Sequence, residues 1–303
     1  MFKMLFGAQR ENRVQGWANV LLHMFFIASV FICLYPMLLV VGVSFTENDA
    51  LREGYRLIPR VFSLQGYEYA ISAGGSILRA YGITIFVTVV GTVGHVFICS
   101  LFAYPLSRTE FRTKKFFMGF VLIPMLFSGG MVPWYVVNMQ VLKIGNTIWA
   151  LILPALVNCW HILVLRTFFK TKVHPAIIEA ARLDGCSEFR ILLRIVFPLA
   201  KAGIATIAFF AAMGFWNDYW HSLMLITDPD LYSLQYLLYN IMARVQFLQS
   251  LTAIRHGITG TAVIPQESLR MAMCVLSVGP IILAYPFFQR FIVRGIAIGS
   301  IKG

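Results

Sequence analysis

Six long apolar stretches constrain this 303-residue chain more than any other feature. A helix needs about 20 residues to cross a hydrocarbon core roughly 30 Å thick, and each stretch is close to that length or longer. Backbone polar groups have no partners in lipid, so a spanning chain forms helices or a closed barrel. The alternation over about ten residues that barrel strands require is missing from the sequence. We therefore predict an all-α integral membrane protein. Its six transmembrane helices are expected at Trp17–Phe45, Tyr81–Leu106, Phe116–Trp134, Asn146–Thr167, Pro198–Trp216 and Ser268–Phe291.

The composition supports a single membrane domain over residues 1–303. Hydrophobic residues make up 59% of the chain and charged residues 13%, and the mean hydropathy is +0.76. We expect a cytosolic N-terminal segment at 1–16, the six spans within 17–291 and a tail at 292–303. The first stretch has a basic flank, but it is longer than the roughly 7–15 apolar residues of a signal peptide and no cleavage site follows it.

The charges predict the orientation of the chain in the membrane. The net charge is +12. With both termini placed in the cytosol, 17 of the 25 basic residues but only 5 of the 13 acidic residues lie on the cytosolic side. This is the positive-inside pattern of membrane proteins. Because topology accounts for the charge, no nucleic-acid partner is required.

A polar segment at 168–197 separates the fourth and fifth spans. Pro175 suits the first turn of a helix, and Gly185 suits the left-handed position just after one. Ser187 can begin a second helix that runs through Arg194. We therefore predict a cytosolic helix-turn-helix. The residue types alone leave two interpretations open: a docking surface for another protein, or a solvated loop.

The motif in this segment resembles the signature loop of permease subunits of bacterial ABC importers. The pattern E-A-A-x3-G-x9-I-x-L-P matches at Glu179, Ala180, Ala181, Gly185, Ile195 and Pro198, with Phe197 in place of Leu. Asp184 before the glycine and "FPLA" after the loop are typical of the carbohydrate branch, which includes the maltose-type inner permeases. "FFAAMGFWNDYW" resembles the Trp-Asn-Asp/Glu element of the same branch, and the last forty residues are similar to the terminal segment of its subgroup for complex oligosaccharides. The likeness covers the second to sixth spans.

The resemblance implies roles for these residues. In that family the loop is a coupling helix that sits in a cleft of the cytosolic ATPase. Glu179 would pair with a basic ATPase residue, Ala180 and Ala181 would allow close approach, and Gly185 would hold the turn. Asp184, Ile195 and Pro198 complete the motif. The C-terminal tail would lie near the ATPase dimer, through the residues Gly295, Gly299 and Lys302.

The resemblance also implies partners and a location. We expect a homologous second permease, two ATPase subunits that carry ATP and Mg, an extracytoplasmic solute-binding protein and a saccharide substrate. The chain itself would need no cofactor and would be a multi-pass protein of the bacterial cytoplasmic (inner) membrane, embedded in the lipid bilayer.

Missing motifs bear on the source of energy. The sequence has no G-x-x-x-x-G-K-[ST] loop, so the chain cannot hold ATP in a P-loop and is expected to be a transport subunit, not an enzyme. Its spans carry no central carboxylate, which ion-coupled carriers usually need. The five cysteines form no C-x-x-C pair or His-Cys cluster, so no metal or disulfide framework is indicated.

Two groups of polar and aromatic residues are candidates for the sugar path, since sugar passage needs hydrogen-bonding side chains and aromatic faces. The first group is Asn158, Trp160 and His161, and the second is Trp216, Asn217 and Asp218. A span histidine, such as His95, can equally pair with a neighbouring helix, and tryptophans are common at membrane interfaces.

The predicted function is ATP-driven import of an oligo- or polysaccharide by alternating access. The lack of central carboxylates suits an acidic sugar such as an oligouronide or an alginate-like chain, and equally a neutral one. One alternative is a passive channel or an ion-coupled sugar carrier. Another is a membrane enzyme that uses Asp218, His221, Asp228 and Asp230, although Asp228-Pro229-Asp230 is typical of a turn.

Overall fold

The computed structural model describes residues 16–73, 77–254 and 266–299, and within these ranges the chain is helical with no strand. The predicted N-terminal segment lies outside them except for Gly16, as does Lys302 of the tail. The α-helices used below are α1 (Gly16–Ser44), α2 (Gln65–Ala73), α3 (Ile77–Ser107), α4 (Lys114–Leu126), α5 (Met131–Val136), α6 (Cys159–Lys172), α7 (Pro175–Leu183), α8 (Glu188–Ile191), α9 (Phe197–Leu199), α10 (Lys201–Trp216), α11 (Trp220–Leu225), α12 (Leu234–Ile254) and α13 (Gln266–Gly299). Short 3-10 helices lie at Ala50–Glu53, Ile148–Leu151, Leu153–Ala155 and Pro229–Leu231, and π-helical turns lie at Val137–Val141 and Leu192–Val196.

The described residues divide into two compact units. The smaller contains 16–70 and 266–275, and the larger contains 71–73, 77–254 and 276–299. In the smaller unit, the end of α1 packs on the segment that follows it. The ring of Phe45 stacks on Phe62 with centroids 5.5 Å apart, and the Ser44 hydroxyl lies 2.8 Å from that of Tyr67. The segment after the first span is therefore folded.

Two single helices in the described ranges are long and apolar enough to cross a membrane, namely α1 and α3. Up to five crossings result if each of three bent helix pairs counts as one span. The sixth apolar stretch lies within α13. Both the six-span count and the cytosolic position of the termini stay predictions.

The third, fourth and fifth apolar stretches are bent. The sequence predicts the break in the third, because Gly129, Gly130 and Pro133 interrupt its helix. The bends in the other two were not predicted. The third bends by 113° between α4 and Met131–Val141, after Gly130 with φ 82°. The fourth bends by 53° between Ile148–Ala155 and α6. The fifth bends by 89° between Glu188–Leu199 and α10, two residues after Pro198. Hydropathy does not distinguish these shapes, because a bend leaves the residue types unchanged.

The larger unit is organised around α3, which packs against α6 and α10. Gly91 of α3 faces the ring of Phe215 on α10, and a Cβ at this position would lie 2.7 Å from that ring. The missing side chain therefore lets the two helices approach closely. Phe169 and Leu165 of α6 are fully buried in a second core, which they share with Ala103 and Leu106 of α3.

Candidate functional site

The signature segment forms an amphipathic helix, α7. Ile178 and Ala181 on its inner face are 1% and 7% exposed and belong to the core that includes Phe169. On the other face, Ile177 is 43% and Leu183 is 90% exposed. Apolar side chains left exposed on a polar segment are typical of a surface that meets another protein.

The motif residues divide between these two faces. Glu179 and Ala180 are exposed, whereas Ala181 packs inside the chain. The alanine pair therefore presents one small residue outward and uses the other for internal packing. Glu179 forms no hydrogen bond or ion pair within the described ranges, so its carboxylate is available to a partner.

Local sequence sets both ends of α7 as predicted. Pro175 is the first helical residue, and the ring of His174 accepts a hydrogen bond from the Ala176 N–H at 3.3 Å. At the other end, Gly185 adopts φ 75°. Its N–H donates to the Arg182 carbonyl at 3.0 Å, and the Cys186 N–H donates to the Ala181 carbonyl at 2.9 Å. This pair of bonds is a Schellman motif, which uses the left-handed glycine to end the helix.

The second helix of the segment is longer than expected. Ser187 lies at its N-cap, but its side chain makes no capping bond. The helix continues beyond Arg194, through a π-helical turn and α9, to Leu199. Ile195 is half-buried and Pro198 is exposed on this stretch, just before the bend into α10. The polar segment thus leads directly into the fifth apolar stretch.

A hydrogen-bonded network ties the segment to the loop after α3. The Arg182 Nε donates to Glu188 at 2.6 Å, and its Nη1 donates to Glu110 at 3.2 Å. The Tyr104 hydroxyl donates to the other oxygen of Glu188 at 2.6 Å. This network was not predicted from the sequence, although opposite charges on the two polar segments were an available signal.

The network shifts the ionisation of its members. Burial opposes ionisation of Glu188, but the hydrogen bonds from Arg182 and Tyr104 outweigh it and lower the pKa of the carboxyl. Slight burial likewise opposes ionisation of Glu110, but the hydrogen bonds from Arg182 and Thr109 and the charge of Arg182 together outweigh it and lower the pKa. The bond to Glu188 is the main cause of a raised Arg182 pKa. All three groups are charged at neutral pH.

A second set of bonds fixes the end of α3 to α6. The Arg108 Nη2 donates to the Phe169 carbonyl at 3.1 Å, and the Arg166 Nε donates to the Leu106 carbonyl at 3.0 Å. Arg108 is only 7% exposed. Each arginine thus satisfies a main-chain carbonyl near the end of a helix, a group that otherwise lacks a helical partner.

The first group of path candidates has mostly local roles. The Asn158 side chain caps α6 by accepting the His161 N–H at 3.1 Å. Trp160 is 60% exposed. His161 Nδ1 lies 2.8 Å from His95 Nε2, and His95 Nδ1 lies 3.0 Å from the Ala155 carbonyl. The two histidines therefore join α3 to α6, which is the alternative role that a span histidine allows.

The second group lies around the end of α10. The Trp216 indole N–H donates to the Ser277 carbonyl at 3.0 Å, and the Asn217 amide donates to Met213 at 2.9 Å. Asp218 accepts the main-chain N–H of Trp220 and contacts the ring of His221. The structure does not bring these residues together with Asn158 and Trp160.

A cavity of about 350 Å³ lies beside Trp216, between α3, α10 and α13. Its lining is apolar apart from Thr88 and Thr92, whose buried hydroxyls have no partner in the described ranges. These threonines were not among the predicted path residues. Their spacing of four on a helix put both on one face, which was the available signal.

Other predicted features are placed as follows. Gly295 and Gly299 continue α13. Asp228 caps a 3-10 turn at Pro229–Leu231, as the turn interpretation of that acidic cluster predicted. The described residues contain no group of three or more His, Cys, Asp and Glu side chains arranged to hold a metal ion.

Known proteins are similar to this chain in sequence and in fold. A sequence profile of the family described as "Binding-protein-dependent transport system inner membrane component" matches residues 95–298. Protein LplC of Bacillus subtilis (strain 168) is 37% identical over 273 residues, which are 90% of each chain. The "Polygalacturonan/rhamnogalacturonan transport system permease protein YtcP" of the same organism is 33% identical, covering 94% of this chain and 98% of its own.

A solved structure is similar over nearly the whole chain. It is the crystal structure of a bacterial ABC transporter involved in the import of the acidic polysaccharide alginate. The matching chain gives a TM-score of 0.76 at 26% identity and covers 94% of this chain and 98% of that chain.

Proposed function

This chain belongs to the family of binding-protein-dependent transport system inner membrane components, the membrane-spanning permeases of ABC transporters, and we propose that it is one of two permease subunits of an ATP-driven saccharide importer. The family membership and the inner-membrane location that the sequence predicted are confirmed. In the proposed complex, ATP binding closes two ATPase subunits, and the closure opens the permeases outward by alternating access.

The observation that carries the proposal is the outward face of α7. It presents the carboxylate of Glu179, the small Ala180 and the apolar Ile177 and Leu183. An apolar and small surface beside one unpaired carboxylate suits a cleft that has apolar walls and one basic group. We propose that this face docks into a cleft of the ATPase. ATP and Mg would be bound by the ATPase subunits and not by this chain.

The structure offers a route for movement from α7 into the membrane. The inner residues of α7 pack with Phe169 of α6. Through Arg182, the same helix is bonded to Glu188 of the helix that leads into α10. A displacement of α7 would therefore be transmitted to α6 through packing and to α10 through an ionic contact. These contacts support the proposal that α7 couples the ATPase to the membrane helices.

The substrate class rests on the relatives. A polygalacturonan and rhamnogalacturonan permease and an alginate importer both handle chains of acidic sugars. We propose an oligo- or polysaccharide of this chemical class, delivered by an extracytoplasmic binding protein. The second permease is expected to be a homologous chain.

The test uses the complex purified from its native membrane with its binding protein. We expect ATPase subunits and a second permease to copurify, and ATP hydrolysis to rise when binding protein loaded with an oligogalacturonide is added. Glu179→Gln is expected to lower this stimulation, because it removes the charge that a basic partner recognises. Glu68→Gln, a carboxylate on α2 outside the segment, is the matched control.

Two results would contradict the proposal. Saccharide flux through the purified chain without ATP would favour a channel or an ion-coupled carrier. Unchanged stimulation in both Glu179→Gln and Gly185→Trp, with assembly intact, would show that α7 does not transmit ATPase closure.

A further inference from the structure

A second cavity, of about 520 Å³, lies where the third apolar stretch breaks. It is bounded by the turn between α4 and α5 and by the start of α11, and Trp134, Asn138, Trp220 and His221 line it. Its volume is within the range of roughly 300–1,000 Å³ that is usual for small-molecule sites. Trp134, Asn138 and His221 were not among the predicted path residues.

The break itself creates the space. Gly130 has φ 82°, and the chain turns by 113° before it becomes helical again at Met131. The α4 helix starts beside the loop that contacts Arg182, so the cavity lies at the other end of α4 from the signature segment. In the predicted orientation this is the extracytoplasmic end.

Several polar side chains of the cavity keep one hydrogen-bonding atom without a partner in the described part of the chain. Asn138 is only 5% exposed and donates from Nδ2 to the Trp134 carbonyl at 2.7 Å. Within the described part of the chain, its Oδ1 makes no hydrogen bond, and neither do the indole N–H groups of Trp134 and Trp220. The buried side-chain atoms without a partner in the described ranges are the hydroxyls of Thr88, Thr92 and Ser100, so the unbonded Asn138 oxygen is open to water or to a ligand in the cavity.

His221 is held in place by Asp218. Its Nδ1 contacts the Asp218 carboxylate, which also accepts the His221 main-chain N–H at 3.2 Å. The ring nitrogen Nε2 has no partner among the described residues, so it is free to bond a ligand. The Trp134 ring packs edge-on against the imidazole with centroids 5.5 Å apart.

We propose that this cavity is a sugar-binding subsite that receives one pyranose unit of the transported saccharide. The aromatic rings offer faces for the C–H side of a sugar, and the free amide, indole and imidazole groups offer donors and acceptors for its hydroxyls. Among the described residues that line the cavity there is no lysine or arginine, so we infer recognition of the sugar ring and its hydroxyls, not of its carboxylate. The inference rests on the proposed saccharide function.

The test measures uptake by the assembled complex in proteoliposomes with its binding protein. The probes are labelled trigalacturonate, an alginate trisaccharide and maltotriose. We expect Trp220→Ala to raise the concentration of loaded binding protein that gives half-maximal uptake by about five- to tenfold, because one aromatic contact is lost. Trp220→Phe should retain most of the affinity. Trp149→Ala removes a 50% exposed tryptophan outside the cavity and is the matched control.

A direct readout locates the sugar. Wild-type complex is photolabelled with a diazirine derivative of whichever probe is taken up, and the labelled peptides are identified by mass spectrometry. Label on residues 128–138 or 220–221, lost in Trp220→Ala, supports the subsite. Normal half-maximal uptake in Trp220→Ala and His221→Ala, or label confined to other segments, overturns it while the importer proposal stands. Failure of the wild type to import any probe overturns the saccharide function and this inference together.

Discussion

Arg182 and Glu110 are 72 residues apart in sequence, yet the Arg182 Nη1 lies 3.2 Å from a Glu110 carboxylate oxygen. Arg182 belongs to helix α7 of the signature segment, and Glu110 belongs to the loop that follows α3. The bond therefore fixes the outward face of α7 relative to α3. The proposed ATPase-docking helix is thereby held in place by a contact within its own chain.

Removing the charge of Arg182 should weaken the attachment of α7 to Glu110 and Glu188. In Arg182→Met the stem can still pack, but Glu110 and Glu188 lose their common partner. Because these side chains are partly exposed, each pair is expected to contribute only about 0.2–1 kcal/mol. Thermal unfolding of the purified complex should show a modest loss, while saccharide-stimulated ATP hydrolysis falls further. A double-mutant cycle with Glu110→Gln measures the coupling, and fully additive effects would show that the pair does not interact.

The same network predicts a dependence on acid. The pKa values of Glu110 and Glu188 lie below their usual 4.5, so ionisation stabilises the fold at neutral pH. This stabilisation is present above that value and is lost as the pH falls through the lowered pKa of the folded state. The difference in thermal midpoint between the wild type and Arg182→Met should therefore be largest near pH 7 and should shrink below about pH 4. An undiminished difference at pH 3 would assign the effect to packing.

Gly185 allows a clean test of backbone strain. A Cβ at this position would meet no atom within 4 Å, so substitution affects only the left-handed conformation at φ 75°. Gly185→Ala is expected to cost about 1–2 kcal/mol, and Gly185→Asn less, since asparagine tolerates that region. Gly119→Ala, in open space within α4, is the matched control and should be neutral or stabilising. Equal stability and coupling in all three variants would mean that the turn does not need its glycine.

The ends of α7 could be predicted from the sequence, because local chemistry determines them. Pro175 has no N–H to place in the first turn, and Gly185 is the residue that accepts a left-handed conformation most easily. These constraints act within a few residues and do not depend on the rest of the fold. The residue types alone left open whether this segment is a docking surface or a solvated loop, and the family signature that includes Glu179 favours a docking surface.

The bends and the cavity residues were not predictable in the same way. Gly129 and Gly130 marked a break in the third stretch, but no local rule says that the chain resumes as a helix turned by 113°. The cavity at this break depends on Trp220 and His221, almost ninety residues further along the chain. Tertiary packing determines which distant residues meet, and the amphipathic pattern of a single segment does not predict it.

The histidine pair makes a further prediction about stability. Since the Ala155 carbonyl can only accept, His95 Nδ1 carries the proton and the His95 Nε2 accepts from His161. His95→Leu would leave a buried carbonyl and an imidazole N–H without partners, at a cost of about 1–3 kcal/mol. His23→Leu changes an exposed histidine of α1 and is the control. Unfolding of the two purified variants would separate them, and an equal midpoint would show that the pair is not structural.

Asn158 distinguishes a helix cap from a sugar contact. Its side chain accepts the His161 N–H at 3.1 Å, so Asn158→Ala should destabilise α6 by about 1 kcal/mol. Asn158→Ser and Asn158→Asp keep a capping oxygen and are expected to restore both the thermal midpoint and saccharide uptake, because a cap requires only an acceptor at this position. A residue of the sugar path would behave differently, since it has to match the ligand in shape and in hydrogen-bonding groups. If Asn158→Ser keeps its stability but loses uptake, the side chain contacts the substrate, and the path passes the start of α6 as well as the cavity at the broken third stretch.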